Sequence, residues 1–256
     1  MSDLVKIATQ DQVRQILMNR PEKKNALTLT MYQALTDALL AADEDPDVRV
    51  IMLGSSGDSF CAGNDINDFI AAVNRPDAIQ APLLFLQTLA SLTTPLIAVV
   101  PGMAVGIGTT ILLYCDLVIA SQQACFQLPF ARLGLVPEGG SSLLIPQLVG
   151  HRRAFELLVI GEQFSAQTAQ TLGLVNWLEA PSSLTERAWL EATKLAALPP
   201  DAVRQSKAML RRHTQSQLEA VLVAEVKQFA ARLTSEEANE ALLAFIQKRT
   251  ADFSRF

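Results

Sequence analysis

The sequence predicts an α/β fold built of parallel strands with crossover helices, followed by a mainly helical C-terminal part. In the first half, short apolar runs alternate with stretches of helical spacing, a pattern typical of strand–helix–strand units. After Gly150 the pattern changes, because helical spacing dominates and charged residues return on the polar faces. The length of 256 residues accommodates one large domain or two small ones.

Four short apolar runs are predicted to be strands, because each is rich in branched residues and is bounded by turn-forming residues. They cover residues 13–18, 48–54, 96–100 and 117–120. The connections agree with this assignment, since residues 19–25 are polar and residues 54–65 form a loop rich in glycine and serine. The run at 96–100 contains no polar residue, so we expect that strand to be buried.

Helices are predicted where apolar residues recur every three or four positions. Residues 30–43 have this spacing, with Thr28 or Thr30 as the N-cap. The same criterion predicts helices at residues 66–73, 81–92, 106–114, 151–160 and 165–172, and in almost the whole segment after residue 182. The last helices are rich in alanine and leucine, which suggests that they pack on a partner subunit as well as on the core.

Half of the residues are hydrophobic and 18% are charged, against a typical ~25% in soluble domains. The 38 positions between Asp77 and Asp116 contain no charged residue. Their most apolar part, residues 95–115, has the length of a membrane span, which needs ~20 apolar residues. Two prolines and three glycines interrupt it, and no Lys or Arg lies close to either end. We therefore interpret it as buried core and expect no membrane span.

Several functional classes are disfavoured by simple sequence features. The net charge of −5, without a basic stripe, argues against nucleic-acid binding. His151 and His213 have no metal-ligand spacing, and GIGTTI at 106–111 lacks the third glycine of a dinucleotide motif, so we expect neither metal nor cofactor. The N-terminal segment has no export or transit signal, and the three cysteines lack close pairing. Both observations favour a cytoplasmic location.

Two loops and one carboxylate could carry chemistry. The loops SFCAGNDI at 59–66 and PGMAVGIG at 101–108 each follow a predicted strand, and the second opens an apolar helix. Backbone N–H groups of two such loops can stabilise an oxyanion, although both could equally be structural turns. Glu138 stands between LGLVP and a Gly-Gly-Ser-Ser turn. Desolvation would raise its pKa and make it a base, and the alternatives are a helix-dipole partner or a surface turn residue.

Six segments in fixed order resemble the crotonase (enoyl-CoA hydratase/isomerase) superfamily. They are RPEKKNALTLTMY at 20–32, SFCAGNDI at 59–66, PGMAVGIGTTILLYCDLVIAS at 101–121, FQLPFARLGLVPEGGSS at 126–142, HRRAFELLVIGEQFSAQTAQTLGLVNWL at 151–178 and FIQKRTADF at 245–253. The resemblance implies a crotonase-like spiral of ββα units, acyl-CoA thioester substrates, and a homotrimer or a dimer of trimers. Residues 1–195 would form the α/β core. Residues 196–256 would form a C-terminal helical trimerisation region that packs on the core and on neighbouring subunits.

The resemblance also implies roles for individual residues. The two loops would form an oxyanion hole for a thioester enolate, with the backbone N–H groups of Asn64 and Ile107 as donors. The residues expected at the CoA and acyl groups are Lys24, Ala26, Ala62, Gly63, Asp65, Ile66 and Lys248. Lys248 would approach the nucleotide phosphates, in its own or a neighbouring subunit, or else be a solvated helix residue.

Two substitutions decide the reaction that the resemblance implies. Hydratases of the superfamily carry two glutamates where this chain has Thr110 and Phe130, so hydration is not expected. Glu138 matches the single glutamate of monofunctional Δ3,Δ2-enoyl-CoA isomerases, which shift the double bond of 3-enoyl-CoA in fatty acid β-oxidation. Thr110 and Phe130 would keep water away from the dienolate. Two alternatives stay open, an isomerase of a ring-containing acyl-CoA in aromatic degradation and a non-catalytic acyl-CoA-binding subunit.

Overall fold

A computed structural model describes residues 3–65, 67–68 and 79–256. Its larger sheet contains the strands β1 (Val5–Gln10), β2 (Val13–Met18), β3 (Val50–Ser55), β4 (Leu96–Val100), β6 (Leu117–Ser121) and β9 (Trp177–Glu179), in the order β1-β2-β3-β4-β6-β9. A smaller sheet contains β5 (Ala104–Val105), β7 (Cys125–Gln127) and β8 (Phe164–Ser165), in the order β5-β7-β8. From β2 to β9 every neighbouring pair of the larger sheet is parallel, as the alternating sequence pattern predicted.

The helices of the described residues lie between these strands and at the C-terminal end. They are α1 (Leu29–Glu44), α2 (Gln80–Ser91), α3 (Ile107–Thr110), α4 (Ser141–Val149), α5 (His151–Phe155), α6 (Ala166–Thr171), α7 (Leu184–Ala196), α8 (Pro200–Arg211), α9 (Gln215–Leu233) and α10 (Glu236–Ile246). The predicted α/β class with a C-terminal helical region is confirmed. Of the helix predicted at residues 66–73, only residues 67–68 lie within the described part of the chain, and both are helical.

The central strands β3, β4 and β6 of the larger sheet are covered on both faces, which explains why their sequences are mostly apolar. In β3, Val50 and Met52 contact the cluster that includes α7. Ile51 and Leu53 belong to the main core cluster, which includes α1 and α2. Successive strand residues point to opposite faces, so a strand buried on both faces has no polar positions.

The sequence interpretation missed β1 because most of this edge strand is exposed and carries little hydrophobic pattern. It pairs antiparallel with β2 through a two-residue turn. Asp11 and Gln12 form that turn with positive φ values of 49° and 65°, the conformation of a tight hairpin connection. The strands β5, β7, β8 and β9 were also missed, since two or three residues are too few to show a period.

The long uncharged stretch forms core structure. Residues 95–115 contain β4, β5, α3 and a 3₁₀ helix (Ile111–Tyr114). The single helix predicted at 106–114 is therefore an α-helix followed by a 3₁₀ helix. Within the described residues, no helix combines the length and the apolar character that crossing a membrane requires.

Candidate active site

The two glycine-containing loops pair with each other through their backbones, beyond the carboxyl ends of β3 and β4. The Phe60 N–H donates to the Met103 carbonyl over 2.9 Å, and the Val105 N–H donates to the Cys61 carbonyl over 2.9 Å. The approach is closest at Gly108, where a Cβ atom would lie 2.4 Å from the Cys61 carbonyl oxygen. A side chain at Gly108 would therefore push the two loops apart.

This pairing brings Asn64 and Ile107 to the lining of the same cavity. Leu27 forms backbone hydrogen bonds with the residues on either side of Asn64. Its N–H donates to the Gly63 carbonyl, and its carbonyl accepts from the Asp65 N–H. The Asn64 N–H takes part in neither of these hydrogen bonds. Ile107 is the first residue of α3, where an N–H has no acceptor within the helix. Neither N–H donates to an acceptor in the described part of the chain.

The cavity beside these amides has a volume of about 690 Å³. Glu138 lines it together with Asn64 and Ile107. Much of the remaining described wall is apolar and comes from residues 129–135, α9 and α10, with the side chains of Phe130, Leu133, Leu135, Phe229, Leu233, Leu242 and Phe245. A smaller cavity of about 70 Å³ is also lined by Asn64 and Glu138. A substrate in the larger cavity would therefore lie beside the buried carboxylate of Glu138, the loop residues Asn64 and Ile107, and an apolar wall.

Glu138 is a buried carboxylate that lines both cavities, and 7% of its surface is exposed. Its Oε1 atom accepts a hydrogen bond of 2.9 Å from the Thr110 hydroxyl. Burial raises the pKa of Glu138 to about 8, the Thr110 hydrogen bond opposes that rise, and the nearby Glu225 carboxylate adds to it. A carboxylate with such a pKa is a far stronger base than an exposed glutamate.

The Thr110 hydroxyl can serve both protonation states of Glu138. Its oxygen lies 2.9 Å from Glu138 Oε1 and 3.2 Å from the Ile107 carbonyl oxygen, and it has one proton to donate. When Glu138 is ionised, Thr110 donates to it. When Glu138 is protonated, the carboxyl can donate to Thr110 Oγ1 while Thr110 donates to the Ile107 carbonyl. The Thr110 hydroxyl can therefore stay hydrogen-bonded in either protonation state of Glu138.

Tyr32 was not singled out from the sequence as a site residue, although it lies in the segment 20–32. Its buried hydroxyl donates to Asn64 Oδ1 over 2.5 Å and so anchors the residue that presents one of the free amides. Burial and the neighbouring Glu138 raise the pKa of Tyr32 well above its usual range, so the phenol remains a neutral donor. Its apolar helix position pointed only to a core role, and the fold was needed to place Asn64 beside it.

Arg20 is a second residue that the sequence analysis did not single out. Its guanidinium donates to Asp65 Oδ2 over 2.7 Å and to the Ala26 carbonyl over 3.0 Å. Burial tends to raise the pKa of Asp65, but the hydrogen bond from Arg20 and the Asn67 amide outweigh it, and the pKa is lowered. Asp65 lines the smaller cavity, and its carboxylate is held by the arginine.

The other residues expected at the substrate have different positions. Ala62 and Gly63 line the larger cavity. The Lys24 carbonyl accepts from the Ala62 N–H over 3.0 Å, so Lys24 lies next to the first loop with an exposed side chain. Ala26 is partly buried in the same segment. Ile66 lies outside the described residues.

Lys248 lies just beyond α10 and is exposed. Its N–H donates to the carbonyl of Phe245, whose side chain lines the larger cavity. In the described part of the chain, no group of histidine, cysteine, aspartate and glutamate side chains is arranged to hold a metal ion. All three cysteines are free thiols.

Comparison with known proteins identifies the family. Residues 8–255 match the sequence family described as Enoyl-CoA hydratase/isomerase, which covers nearly the whole chain. The chain belongs to the enoyl-CoA hydratase/isomerase family. Its fold agrees closely with a family member from Pseudoalteromonas atlantica, an enoyl-CoA hydratase/isomerase whose crystal structure matches with a TM-score of 0.92. That match has 37% sequence identity and covers 98% of this chain and 99% of the other.

Curated members of the family include both isomerases and hydratases. The human Enoyl-CoA delta isomerase 2 is 34% identical over 250 residues, which are 95% of this chain and 63% of the human protein. The chain thus spans less than two thirds of that relative. The 2,3-dehydroadipyl-CoA hydratase of Escherichia coli K12 is 35% identical over 259 residues, with 99% of both chains covered. Family membership therefore does not distinguish isomerisation from hydration.

Proposed function

We propose that this protein is a Δ3,Δ2-enoyl-CoA isomerase that converts 3-enoyl-CoA into trans-2-enoyl-CoA in fatty acid β-oxidation. The observation that carries the proposal is the geometry around Glu138, the buried carboxylate among the described residues of the larger cavity, which Asn64 and Ile107 of the two paired loops also line. The human isomerase and the Escherichia coli hydratase are similar to this chain to the same degree, so the proposal rests on the site. CoA is part of the substrate in this proposal, and no further cofactor takes part.

The reaction needs one base and one oxyanion site. Ionised Glu138 removes a proton from C2, and the electron pair of the broken C–H bond moves to the thioester oxygen to form a dienolate. The Asn64 and Ile107 amides hydrogen-bond that oxygen, an effect worth ~10²–10³ in rate for one donor. Protonated Glu138 then delivers the proton to C4, the C2–C3 double bond forms, and Glu138 is again ionised. General base catalysis typically contributes ~10²–10⁴.

Hydration would require groups that activate a water molecule and protonate the adjacent carbon. Of the described carboxylates at the larger cavity, Glu138 is buried and Glu236 is exposed. The positions of the two hydratase glutamates are occupied by Thr110, which hydrogen-bonds Glu138, and by the buried ring of Phe130. These features favour proton transfer within the substrate over the addition of water.

The apolar wall of the larger cavity supports a hydrocarbon acyl chain as the substrate group. We further propose a homotrimer or a dimer of trimers in the reducing cytoplasm. The C-terminal helices support the assembly, because Met209 and Leu210 on α8 are 72% and 85% exposed, and Phe245 and Ile246 on α10 are 60% and 54% exposed. Light scattering on the purified protein tests this, and a monomer at micromolar concentration would contradict it.

Glu138→Gln tests the base. We expect it to lower the rate of 3-enoyl-CoA isomerisation by ~10²–10⁴ while thioester binding persists. The matched control is Glu219→Gln, which removes an exposed carboxylate on α9 and should retain the rate. Exchange of C2 hydrogen in heavy water reports the enolate step for linear and ring-containing acyl-CoA alike. Full activity in Glu138→Gln would overturn the assignment, and wild-type binding without exchange would identify a non-catalytic subunit.

A further inference from the structure

A second buried carboxylate, Glu225, lies behind the loop that carries Glu138. Glu225 is on α9, and 7% of its surface is exposed. Its Oε2 atom accepts from the Gly140 N–H over 2.6 Å, and its Oε1 atom accepts from the Ser142 N–H over 2.9 Å. Glu225 is absent from the described lining of both cavities, so it does not contact the substrate region directly.

These two amides belong to the N-terminus of α4, which begins three residues after Glu138. A helix N-terminus carries a partial positive charge, and its first amides have no acceptor within the helix. Such a charge beside Glu138 would stabilise the ionised form and weaken the base. Glu225 places a negative charge at this end of the helix and takes up two of its amides. Among the described residues, Glu225 has no cationic partner that would neutralise it.

The Glu138 loop is held from three directions. Thr110 hydrogen-bonds the carboxylate, and the Tyr114 hydroxyl donates to the Gly139 carbonyl over 2.8 Å. Glu225 holds the next residue, Gly140, whose positive φ of 71° makes the turn into α4. Because Val226 and Phe229 of the same helix line the smaller cavity, Glu225 also ties the base to a wall of the substrate region.

We propose that Glu225 is a positioning residue for Glu138, an inference that rests on the function proposed above. It fixes the loop that aims Glu138 into the cavity through two hydrogen bonds to the N-terminus of α4. Its negative charge also offsets the positive end of that helix, so Glu138 retains the proton affinity that a base needs.

Glu225 differs in kind from the other titratable groups around Glu138. Burial raises the pKa of the Tyr32 phenol, the Cys61 thiol and the Tyr114 phenol, so all three remain neutral. Burial also raises the pKa of Glu225, but the hydrogen bonds from Ser142 and Gly140 act against that rise. Both of its oxygens accept amide protons, the pattern of an ionised carboxylate.

Two further carboxylates line the smaller cavity with Glu138, and each has its own partner. Asp65 is paired with Arg20. Asp68 accepts from the Leu29 N–H over 2.8 Å. Neither binds the N-terminus of α4, so a change at Glu225 leaves their contacts in place.

The test compares Glu225→Gln, which removes the charge, with Glu225→Asp, which keeps the charge and shortens the side chain. The readout is the pH at which Glu138 is half protonated. Infrared difference spectroscopy measures it from the band of the protonated carboxyl group, which is assigned to Glu138 because Glu138→Gln abolishes it. In Glu225→Gln we expect the midpoint to move to lower pH. In Glu225→Asp we expect the wild-type midpoint, with kcat lowered roughly ten- to a hundredfold because the base is displaced. Glu219→Gln, an exposed change on the same helix, should alter neither quantity.

A purely structural role for Glu225 would change only thermal unfolding. An unchanged midpoint in Glu225→Gln would therefore overturn the proposal. If that variant does not fold, Glu225→Asp decides, because a wild-type kcat in it would also overturn the proposal. The infrared titration needs no turnover. If the wild-type enzyme fails to isomerise 3-enoyl-CoA, the proposed function fails while the effect of Glu225 on Glu138 is still measured.

Discussion

The hydroxyl oxygen of Thr110 lies 2.9 Å from the carboxylate oxygen Oε1 of Glu138, and both groups are buried. The two residues come from different parts of the chain, α3 and the loop before α4. In a reaction that takes a proton from one carbon and returns it to another, the base changes its protonation state twice. A hydroxyl that can donate to the ionised form and accept from the protonated form serves both steps.

The pH dependence of activity should report the raised pKa of Glu138. Because burial raises this pKa to about 8, Glu138 is mostly protonated at pH 7 in the free enzyme and becomes a competent base above pH 8. We expect kcat/KM for 3-enoyl-CoA to rise with pH through a midpoint near 8 and then to level off. Steady-state rates from about pH 4 to about pH 10, in steps of about 0.5 unit, measure it. A midpoint near the ordinary glutamate value of 4.5 would contradict the assignment.

Thr110→Val should move that midpoint in a known direction. The Thr110 hydrogen bond lowers the pKa of Glu138, so its removal by a side chain of similar shape should raise the midpoint. We also expect kcat at high pH to fall about tenfold, because the base loses its hydrogen-bond partner. Thr110→Ser keeps the hydroxyl and should restore the wild-type profile. Equal profiles for Thr110→Val and wild type would show that the hydroxyl has no part in the proton transfer.

Tyr32→Phe should weaken the oxyanion site while leaving the core packed. The substitution removes the hydrogen bond to Asn64 Oδ1 and retains the ring, which packs edge-on against Phe85 at a centroid distance of 5.4 Å. We expect kcat/KM to fall roughly tenfold, since the donor amide of Asn64 loses its anchor. Circular dichroism and thermal unfolding serve as controls for the fold. A wild-type value of kcat/KM in a folded Tyr32→Phe protein would show that the Tyr32 hydroxyl does not support the oxyanion site.

Glu138→Gln should stabilise the folded protein at alkaline pH while it abolishes activity. The pKa of Glu138 is about 8 in the folded state and close to 4.5 when the chain is unfolded, so ionisation destabilises the fold progressively between these values. Glutamine stays neutral and escapes this penalty. We expect the free energy of unfolding to increase by on the order of 5 kcal/mol at pH 9, where the whole difference between the two pKa values counts, and by at most about 1 kcal/mol at pH 5. Urea unfolding at both pH values measures the difference, and an equal effect at the two would contradict burial of the charge.

Much of the fold follows from local pattern. The strands at residues 13–18 and 96–100 have the predicted bounds, because each has a run of branched apolar residues that ends at turn residues. The helix predicted at 30–43 begins one residue earlier than expected, with Thr28 as its N-cap. The exposed strand β1 and the very short strands carry no such pattern, so they could be recognised only from their hydrogen-bonded partners.

For the site, the sequence alone identified the family resemblance, the two loops and Glu138. Glycine and apolar patterns are local, and they single out the two loops and the acid, while the roles of an oxyanion hole and a base were implied by the family resemblance. The tertiary structure decided how these parts work together. It placed Thr110 against Glu138, Tyr32 against Asn64, and Glu225 against the N-terminus of α4, across separations of 28, 32 and 85 residues. Such contacts depend on how helices pack and where side chains point, and no short segment of the sequence contains that information.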